Sequence, residues 1–274
     1  MSAPGTLYVV ATPIGNLEDL TVRAARVLGE VDAIACEDTR HSRTLLDHYG
    51  IQKPLISYYR EKEAERAAAL LARLQAGESI ALITDAGAPL LSDPGARLVA
   101  LAAAAAVPIV PLPGPSAPIT ALMAAGCEIG ATLPVAFLGF LPARSGQRRR
   151  LLEQYRGWPG CLVFFESPHR LLASLADMAG VWGAPCPLLV ARELTKIHEE
   201  FLRGTVASAS VHFASHPPRG EFTLIAGPSP APPPSSAPPP ATRAERNLWA
   251  RQHGISRAQA YRLWQASYTG KDGG

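Results

Sequence analysis

Short apolar runs recur along the chain at Leu7 to Ala11, Ala33 to Cys36, Ile80 to Thr84, Pro108 to Leu112, Val135 to Phe140, Leu162 to Phe165, Leu188 to Ala191 and Phe222 to Ala226. Each has the length of a strand and is bounded by turn residues. Between them, apolar positions spaced at three to four residues over Glu63 to Gln75, Ala96 to Ala106 and Leu171 to Val181 predict helices. Short continuous strands alternating with helices predict an α/β fold, with sheets covered by helices on both faces. Two α/β sub-domains fit the pattern, residues 1–113 and 114–227, the helix after Ser116 leading into the second.

The pattern stops at Pro228 to Pro240, a run of Pro, Ser and Ala that cannot form a helix or a central strand. An extended linker over 228–241 is expected, followed by a small basic helical tail over 242–274. In that tail Leu248, Trp249, Ile255, Ala258, Tyr261, Leu263 and Trp264 suffice for a helical hairpin, broken at Gly254 and capped again by Ser256. From residue 231 onward six cationic side chains stand against Glu245 and Asp272, which leaves the body close to neutral within a net charge of +3. Such a tail suits RNA contact, and equally folding back on the body or a dimer contact.

Two loops each end a strand-like run and open a helix-like one: Ile83-Thr84-Asp85-Ala86-Gly87-Ala88-Pro89 and Leu112-Pro113-Gly114-Pro115-Ser116-Ala117. Glycine admits close backbone approach and proline fixes the turn. Ser116 is placed to cap the following helix, its hydroxyl facing a cleft. Two such loops imply a binding crevice at the carboxyl ends of strands. The loop Thr12-Pro13-Ile14-Gly15-Asn16-Leu17 has a single glycine, and no Gly-Lys-Ser/Thr occurs, so dinucleotide and nucleoside triphosphate sites are disfavoured.

Three further strand ends carry charge: Glu37-Asp38-Thr39-Arg40-His41-Ser42-Arg43, Glu166-Ser167-Pro168-His169-Arg170, and Arg192-Glu193-Leu194-Thr195-Lys196. Each can be a capped helix with solvated charges; all three together point to a polyanionic ligand gripped by arginines and oriented by acids. Glu166 is a candidate acid or base. Cys36, Cys127, Cys161 and Cys186 are scattered, without the short spacing of a zinc or redox motif, and are expected to be reduced packing residues. Neither a secretory leader nor an apolar stretch long enough for a membrane is read, the longest apolar helix being Leu98 to Val107, and a cytoplasmic location is expected.

These motifs, together with Ser92-Asp93-Pro94-Gly95 and Gly220-Glu221-Phe222, resemble in order those of the ribosomal RNA small subunit methyltransferase I family, a branch of the tetrapyrrole methylase superfamily. The resemblance implies two α/β sub-domains with S-adenosylmethionine in the cleft between them, and 2′-O-methylation of a cytidine ribose in the decoding region of 16S rRNA. It places the cofactor against Asp85, Ala86 and Gly87, against Pro113, Gly114, Ser116 and Ala117, and against Phe165, Leu194, Phe222 and Leu224. Ala88 and Leu90-Leu91 depart from the Thr and Gly-Ile more common in the family. A homodimer is implied, and an assembled small subunit fits the modest basic patches better than naked RNA.

Methyl transfer to a hydroxyl needs proximity and a route for the proton. Glu166, Glu193 and Lys196 are the candidates for that proton; Arg40, Arg43, His169 and Arg170 are the candidates for gripping RNA phosphates, and no metal is required. A tetrapyrrole-like or diphthine-like substrate leaves the arginine-rich ends and Arg144, Arg148, Arg149 and Arg150 without a role. The remaining alternative is a catalytically inactive RNA-binding relative.

Overall fold

In the computed structural model, which describes residues 3–127, 130, 133–227, 242–252, 257 and 260–261, the first half forms β1 (Leu7–Val10), β2 (Ala33–Cys36), β3 (Leu55–Ser57), β4 (Ile80–Leu82) and β5 (Ile109–Leu112). They are joined by α1 (Val22–Glu30), α2 (Thr39–His48), α3 (Glu63–Gln75) and α4 (Ala96–Ala104). The strands make one parallel sheet in the order β3-β2-β4-β1-β5. Strand periodicity divides its side chains between two cores. Ile34 and Cys36 pack with Val27, Leu28, Leu45 and Leu46 of α1 and α2. Ala35, Leu7 and Leu82 pack with Leu70, Leu74, Leu98 and Ala102 of α3 and α4. Both faces are thus covered, which is why β2 is apolar throughout and fully buried.

The second half begins with α5 (Ala117–Ala125) and continues through β6 (Val135–Phe140), α6 (Ser145–Gln154), β7 (Cys161–Glu166), α7 (Leu171–Trp182), β8 (Pro187–Arg192), β9 (Glu200–Thr205), α8 (Val206–Ser215) and β10 (Phe222–Ala226). Its sheet has the order β6-β7-β10-β8-β9, with β6 and β7 parallel and the other pairs antiparallel. One face meets Leu152, Leu175, Met178 and Phe213 of α6 to α8. The other meets Ala121 of α5 together with Ile14 and Leu194. Arg148, one of the arginines to which a small-substrate reading gives no role, is 3% exposed and pairs with Asp177 at 2.6 Å while donating to the carbonyls of Pro142 and Ala143. It ties α6 to α7.

Two strands escape the apolar pattern. β3 has only three residues, and β9 carries Glu200 and Arg203 along the open edge of its sheet. Edge strands keep polar residues because water, not a core, lies beside them. Met1–Ser229 forms one compact unit holding both sheets, and Pro230–Gly274 a second. In the second unit α9 (Arg243–Gln252) opens where the Thr242 hydroxyl donates to Glu245 at 2.6 Å and accepts from the Glu245 amide at 3.3 Å. The expected linker and the hairpin positions Gly254 and Ser256 lie outside the described residues. Among the described residues no helix is long and apolar enough to cross a membrane.

Candidate functional site

A cavity of about 400 Å³ opens where the loops at the carboxyl ends of the first sheet meet the second sheet. That volume is within the range of small-molecule sites. Its floor is the loop after β4. Gly87, at φ 84°, bonds back to the loop after β1: its amide donates to Thr12 O at 3.0 Å and its carbonyl accepts from the Thr12 amide at 2.9 Å. Thr12 Oγ1 also donates to Thr84 O at 3.0 Å. A left-handed conformation favours glycine, so the loop is fixed by its own backbone. Ser116 and Ala117 at the start of α5 form one wall, and Phe140, Phe165 and Thr223 face them. Phe140 and Phe165 lie 5.3 Å apart between ring centres, and Phe140 remains 54% exposed as a lip.

Ser116 is the N-terminal flanking residue of α5, yet its hydroxyl makes no capping bond. The Oγ atom is buried without a partner among the described residues. A buried hydroxyl left unmet costs about 1–3 kcal/mol. A polar ligand in the cavity offsets that cost.

The first half contributes acids that the protein leaves largely unmatched. Asp85 accepts the Asp38 amide at 3.2 Å, and its carbonyl meets His41 Nε2 at 3.1 Å. Asp93 lines the cavity with no hydrogen bond or ion pair to its carboxylate among the described residues. Burial, then the charges of Glu37 and Asp85, push Asp93 up to about 6, against the opposing Arg60. Burial and Asp85 likewise raise Glu37. The backbone around Asp93 is strained: Leu90 and Ser92 sit at φ 73° and 74°. Leu90 stands where the resemblance leads one to expect glycine, which such a φ favours. Arg60 holds the strained turn by donating to Ser92 O at 2.6 Å.

In the second half the charged strand ends are paired. Glu166, at the end of β7, accepts from the Ser167 amide at 2.7 Å and from Ser174 Oγ at 2.5 Å, and meets Arg170 at 2.8 Å. Glu166 borders the cavity, but its side chain has 0% exposure and its carboxylate oxygens are taken by these partners. Glu193 accepts from Lys196 at 3.0 Å and the Glu221 amide at 2.8 Å; Lys196 also meets Glu221 at 3.1 Å. Burial opposes it, but the Glu221 amide and Lys196 hold Glu193 below the usual carboxylate range. Burial likewise opposes, yet Glu193 and Glu221 hold Lys196 above the usual ammonium range. The proton-accepting roles expected of these three meet a physical obstacle: Glu166 is fully engaged, Lys196 stays charged, and Glu193 is committed to a lysine.

Of the residues expected against a cofactor, Asp85, Ala86, Gly87, Ser116, Ala117, Phe165 and Phe222 line the cavity. Pro113, Gly114, Leu194 and Leu224 do not. Gly114 packs so closely on Ala11 that a Cβ there would stand 2.9 Å from the Ala11 Cβ. Leu194 is buried beside Ile14, and Leu224 is fully buried on the α6–α8 face. The alternation of a strand explains Leu224: its neighbour Thr223 points the other way and takes the lining position. Among the expected RNA contacts, Arg40 is 94% exposed, 3.9 Å from Asp38, and borders a surface concavity with Arg43, Thr39 and Leu55. His169 is exposed, whereas Arg170 is tied to Glu166. Asp38 caps α2 by accepting the Arg40 amide at 2.8 Å, so it serves the helix first.

Asp93, Ile14, Leu91, Phe140 and Glu221 also line the cavity and carried no sequence assignment. Asp93 stood inside Ser92-Asp93-Pro94-Gly95, and an acid two turns past a buried strand is the available signal. Among the described residues no group of three or more His, Cys, Asp or Glu could hold a metal ion. The four cysteines are free; Cys161 and Cys127 approach to 3.0 Å between sulfurs at the foot of β7.

Two α/β sheets with a cleft at strand carboxyl ends are the fold of a class that the comparisons identify as methylases. The model for Tetrapyrrole (Corrin/Porphyrin) Methylases matches residues 6–210. Among solved structures, diphthine synthase superposes with a TM-score of 0.63 at 12% identity, covering 94% of this chain and 100% of that one. The uroporphyrin III C-methyltransferase of Thermus thermophilus gives 0.58 at 17%, covering 81% and 97%. At those identities they show the fold alone. Ribosomal RNA small subunit methyltransferase I of Synechocystis sp. is 46% identical over 259 residues, 94% of this chain and 91% of its own. That of Pseudomonas aeruginosa is 48% identical over 230 residues, 83% and 80%. The chain belongs to the tetrapyrrole methylases, and within them to the ribosomal RNA small subunit methyltransferase I family.

Proposed function

We propose that this protein transfers the methyl group of S-adenosylmethionine to 16S rRNA, at the 2′-hydroxyl of a cytidine ribose in the decoding region of the small subunit. The observation that carries the reading is the cavity between the sheets, with an unmet Ser116 hydroxyl inside and exposed arginines outside. Relatives bearing the rRNA methyltransferase name share nearly half of the residues over most of the chain. Asp85, Ala86, Gly87, Ser116, Ala117, Phe165 and Phe222 would hold the cofactor, which when bound supplies an electrophilic methyl on a sulfonium. The chain itself supplies orientation: the Thr12–Gly87 clamp keeps the floor rigid, and the Phe140–Phe165 pair keeps water from one side.

Arg40 and Arg43, in the first turns of α2, and the exposed His169 would meet RNA phosphates. Arginine suits this task because its planar fork matches phosphate oxygens. The exposed Ile119 and Met123 of α5 support a homodimer, which light scattering on the full chain checks. The reading is tested by incubating the protein with labelled S-adenosylmethionine and small subunits from a strain lacking the modification. Label in 16S RNA at an alkali-resistant ribose is expected. Label confined to a small molecule, or cofactor binding without transfer, overturns it.

A further inference from the structure

We propose that Asp93 is the group that accepts the proton leaving the RNA hydroxyl as it is methylated, an assignment that rests on the rRNA reading above. The other acids lining the cavity, and Glu193 beside them, are held by protein partners. Glu166 is engaged by an amide, a hydroxyl and a guanidinium; Glu193 and Glu221 share Lys196; Asp85 accepts the Asp38 amide. Asp93 lines the cavity with its carboxylate free of protein partners among the described residues. Its loop is held in a costly backbone conformation, with Ser92 at φ 74° and its carbonyl gripped by Arg60; Glu193 is also strained, at φ 50°, but its carboxylate is bound to Lys196 and the Glu221 amide. Strain of this kind persists where the surrounding structure needs the side chain in place.

The surroundings match the chemistry. Glu37 at the end of β2 and Asp85 after β4 face Asp93 and raise its proton affinity; Arg60 opposes them. From α3, Glu63 is turned to the Gly95 and Arg97 amides, at 3.0 and 3.3 Å, and so fixes the far side of the turn. A group poised near 6 is ionised at neutral pH yet basic enough to take a proton in the transition state. In the step, the hydroxyl oxygen forms a bond to the methyl carbon while the carbon–sulfur bond breaks. The sulfonium becomes a neutral thioether, the O–H proton passes to the Asp93 carboxylate, and charge balances without a metal or a redox partner.

The test compares wild type, Asp93→Asn and Glu37→Gln in single-turnover methylation of unmodified small subunits across pH 5 to 9, alongside calorimetric binding of S-adenosylhomocysteine. Wild type is expected to lose rate as pH falls through about 6. Asp93→Asn is expected to lower kcat by roughly 10²- to 10⁴-fold, without that acid limb and with cofactor affinity intact. Glu37→Gln, which leaves Asp93 in place, is expected to move the limb to lower pH, and it reports even if Asp93→Asn fails to fold. The assignment is overturned if Asp93→Asn keeps kcat within threefold, loses cofactor binding, or retains the limb, or if Glu37→Gln leaves the limb unmoved. Absence of label with wild type at every pH overturns the rRNA reading itself and this assignment with it. Transfer by wild type with an unaltered Asp93→Asn profile overturns the assignment only.

Discussion

Both halves of the molecule end their strands in charged residues, but they treat the charge in opposite ways. In the second half Glu166, Glu193 and Arg192 each find a partner within 3.2 Å, so their charges are consumed in holding strand ends together. In the first half Glu37, Asp85 and Asp93 crowd one another with Arg60 as the opposing charge, and burial raises Asp93 and Glu37. The same residue types serve structure in one sheet and remain available for chemistry in the other. What separates them is partner accounting, because a carboxylate whose lone pairs are filled by an amide, a hydroxyl and an arginine has little left for a substrate.

The strongest way to break this comparison is to replace Glu166. Glu166→Gln leaves Arg170 without its anion and weakens the bond from Ser174, so stability should fall by about 3 kcal/mol, roughly 6 to 12 °C in Tm. Thermal unfolding followed by circular dichroism measures it. A change under about 1 °C would remove the structural role assigned to Glu166 and return it to the list of acids free for catalysis.

Two buried serines repeat the contrast on a smaller scale. Ser174 Oγ donates to Glu166, while Ser116 Oγ has no partner among the described residues. Ser116→Ala should leave the unliganded Tm unchanged or slightly higher, because it removes an unmet hydroxyl. It should also weaken S-adenosylhomocysteine binding by about tenfold, one hydrogen bond's worth. Calorimetry on both proteins decides it, and equal affinities would detach Ser116 from the ligand.

Asp93 should show the reverse of Glu166 in stability. Its folded value lies above the ordinary one, so the native state holds the proton more tightly. The stability contributed by that proton is present below about pH 4 and lost as pH rises through about 6. Asp93→Asn should therefore match wild type near pH 4 and exceed it by about 1 kcal/mol at neutral pH, a figure discounted for partial exposure. Denaturant unfolding at the two pH values checks the sign. A variant less stable than wild type at neutral pH would show that Asp93 is held by partners after all.

The sequence is most readable where side chains face a core. The run Ala33 to Cys36, with four apolar residues and two helices to cover them, can hardly be anything but a central parallel strand, and helix α3 is equally clear from its spacing. The antiparallel order of β7, β10 and β8 is not legible, since buried strands of either direction look alike in periodicity. At the site, Gly87 and the position of Ser116 ahead of α5 are readable because turn chemistry is local, whereas the capping bond expected of the Ser116 hydroxyl is not made. Pairing is not local: Arg148 finds Asp177 29 residues away, and Glu193 takes the amide of Glu221 from 28 away. That is why Glu166, Glu193 and Lys196 look like free catalytic groups in one dimension, and why Asp93, in a motif of Ser, Pro and Gly, does not.

The smallest expected effect tests the same contrast among arginines. Arg40 and Arg170 both follow a strand end and both look suited to phosphate, but Arg40 is 94% exposed with a loose neighbour at 3.9 Å, while Arg170 covers a fully buried carboxylate at 2.8 Å. Surface pairs such as Arg40–Asp38 contribute little to folding, so Arg40→Ala should leave Tm within the effect of about 0.5 kcal/mol. If Arg40 contacts phosphate, the slope of log affinity for RNA against log salt should shrink by about one, with affinity falling at low salt and cofactor binding untouched. Arg170→Ala should instead lower Tm, because Glu166 would be left buried and unpaired. Filter binding at several salt concentrations, with melting curves beside it, separates the two. Unchanged low-salt affinity for Arg40→Ala would take the start of α2 out of the RNA interface, and an unchanged Tm for Arg170→Ala would undo the division between paired and available charge on the arginine side.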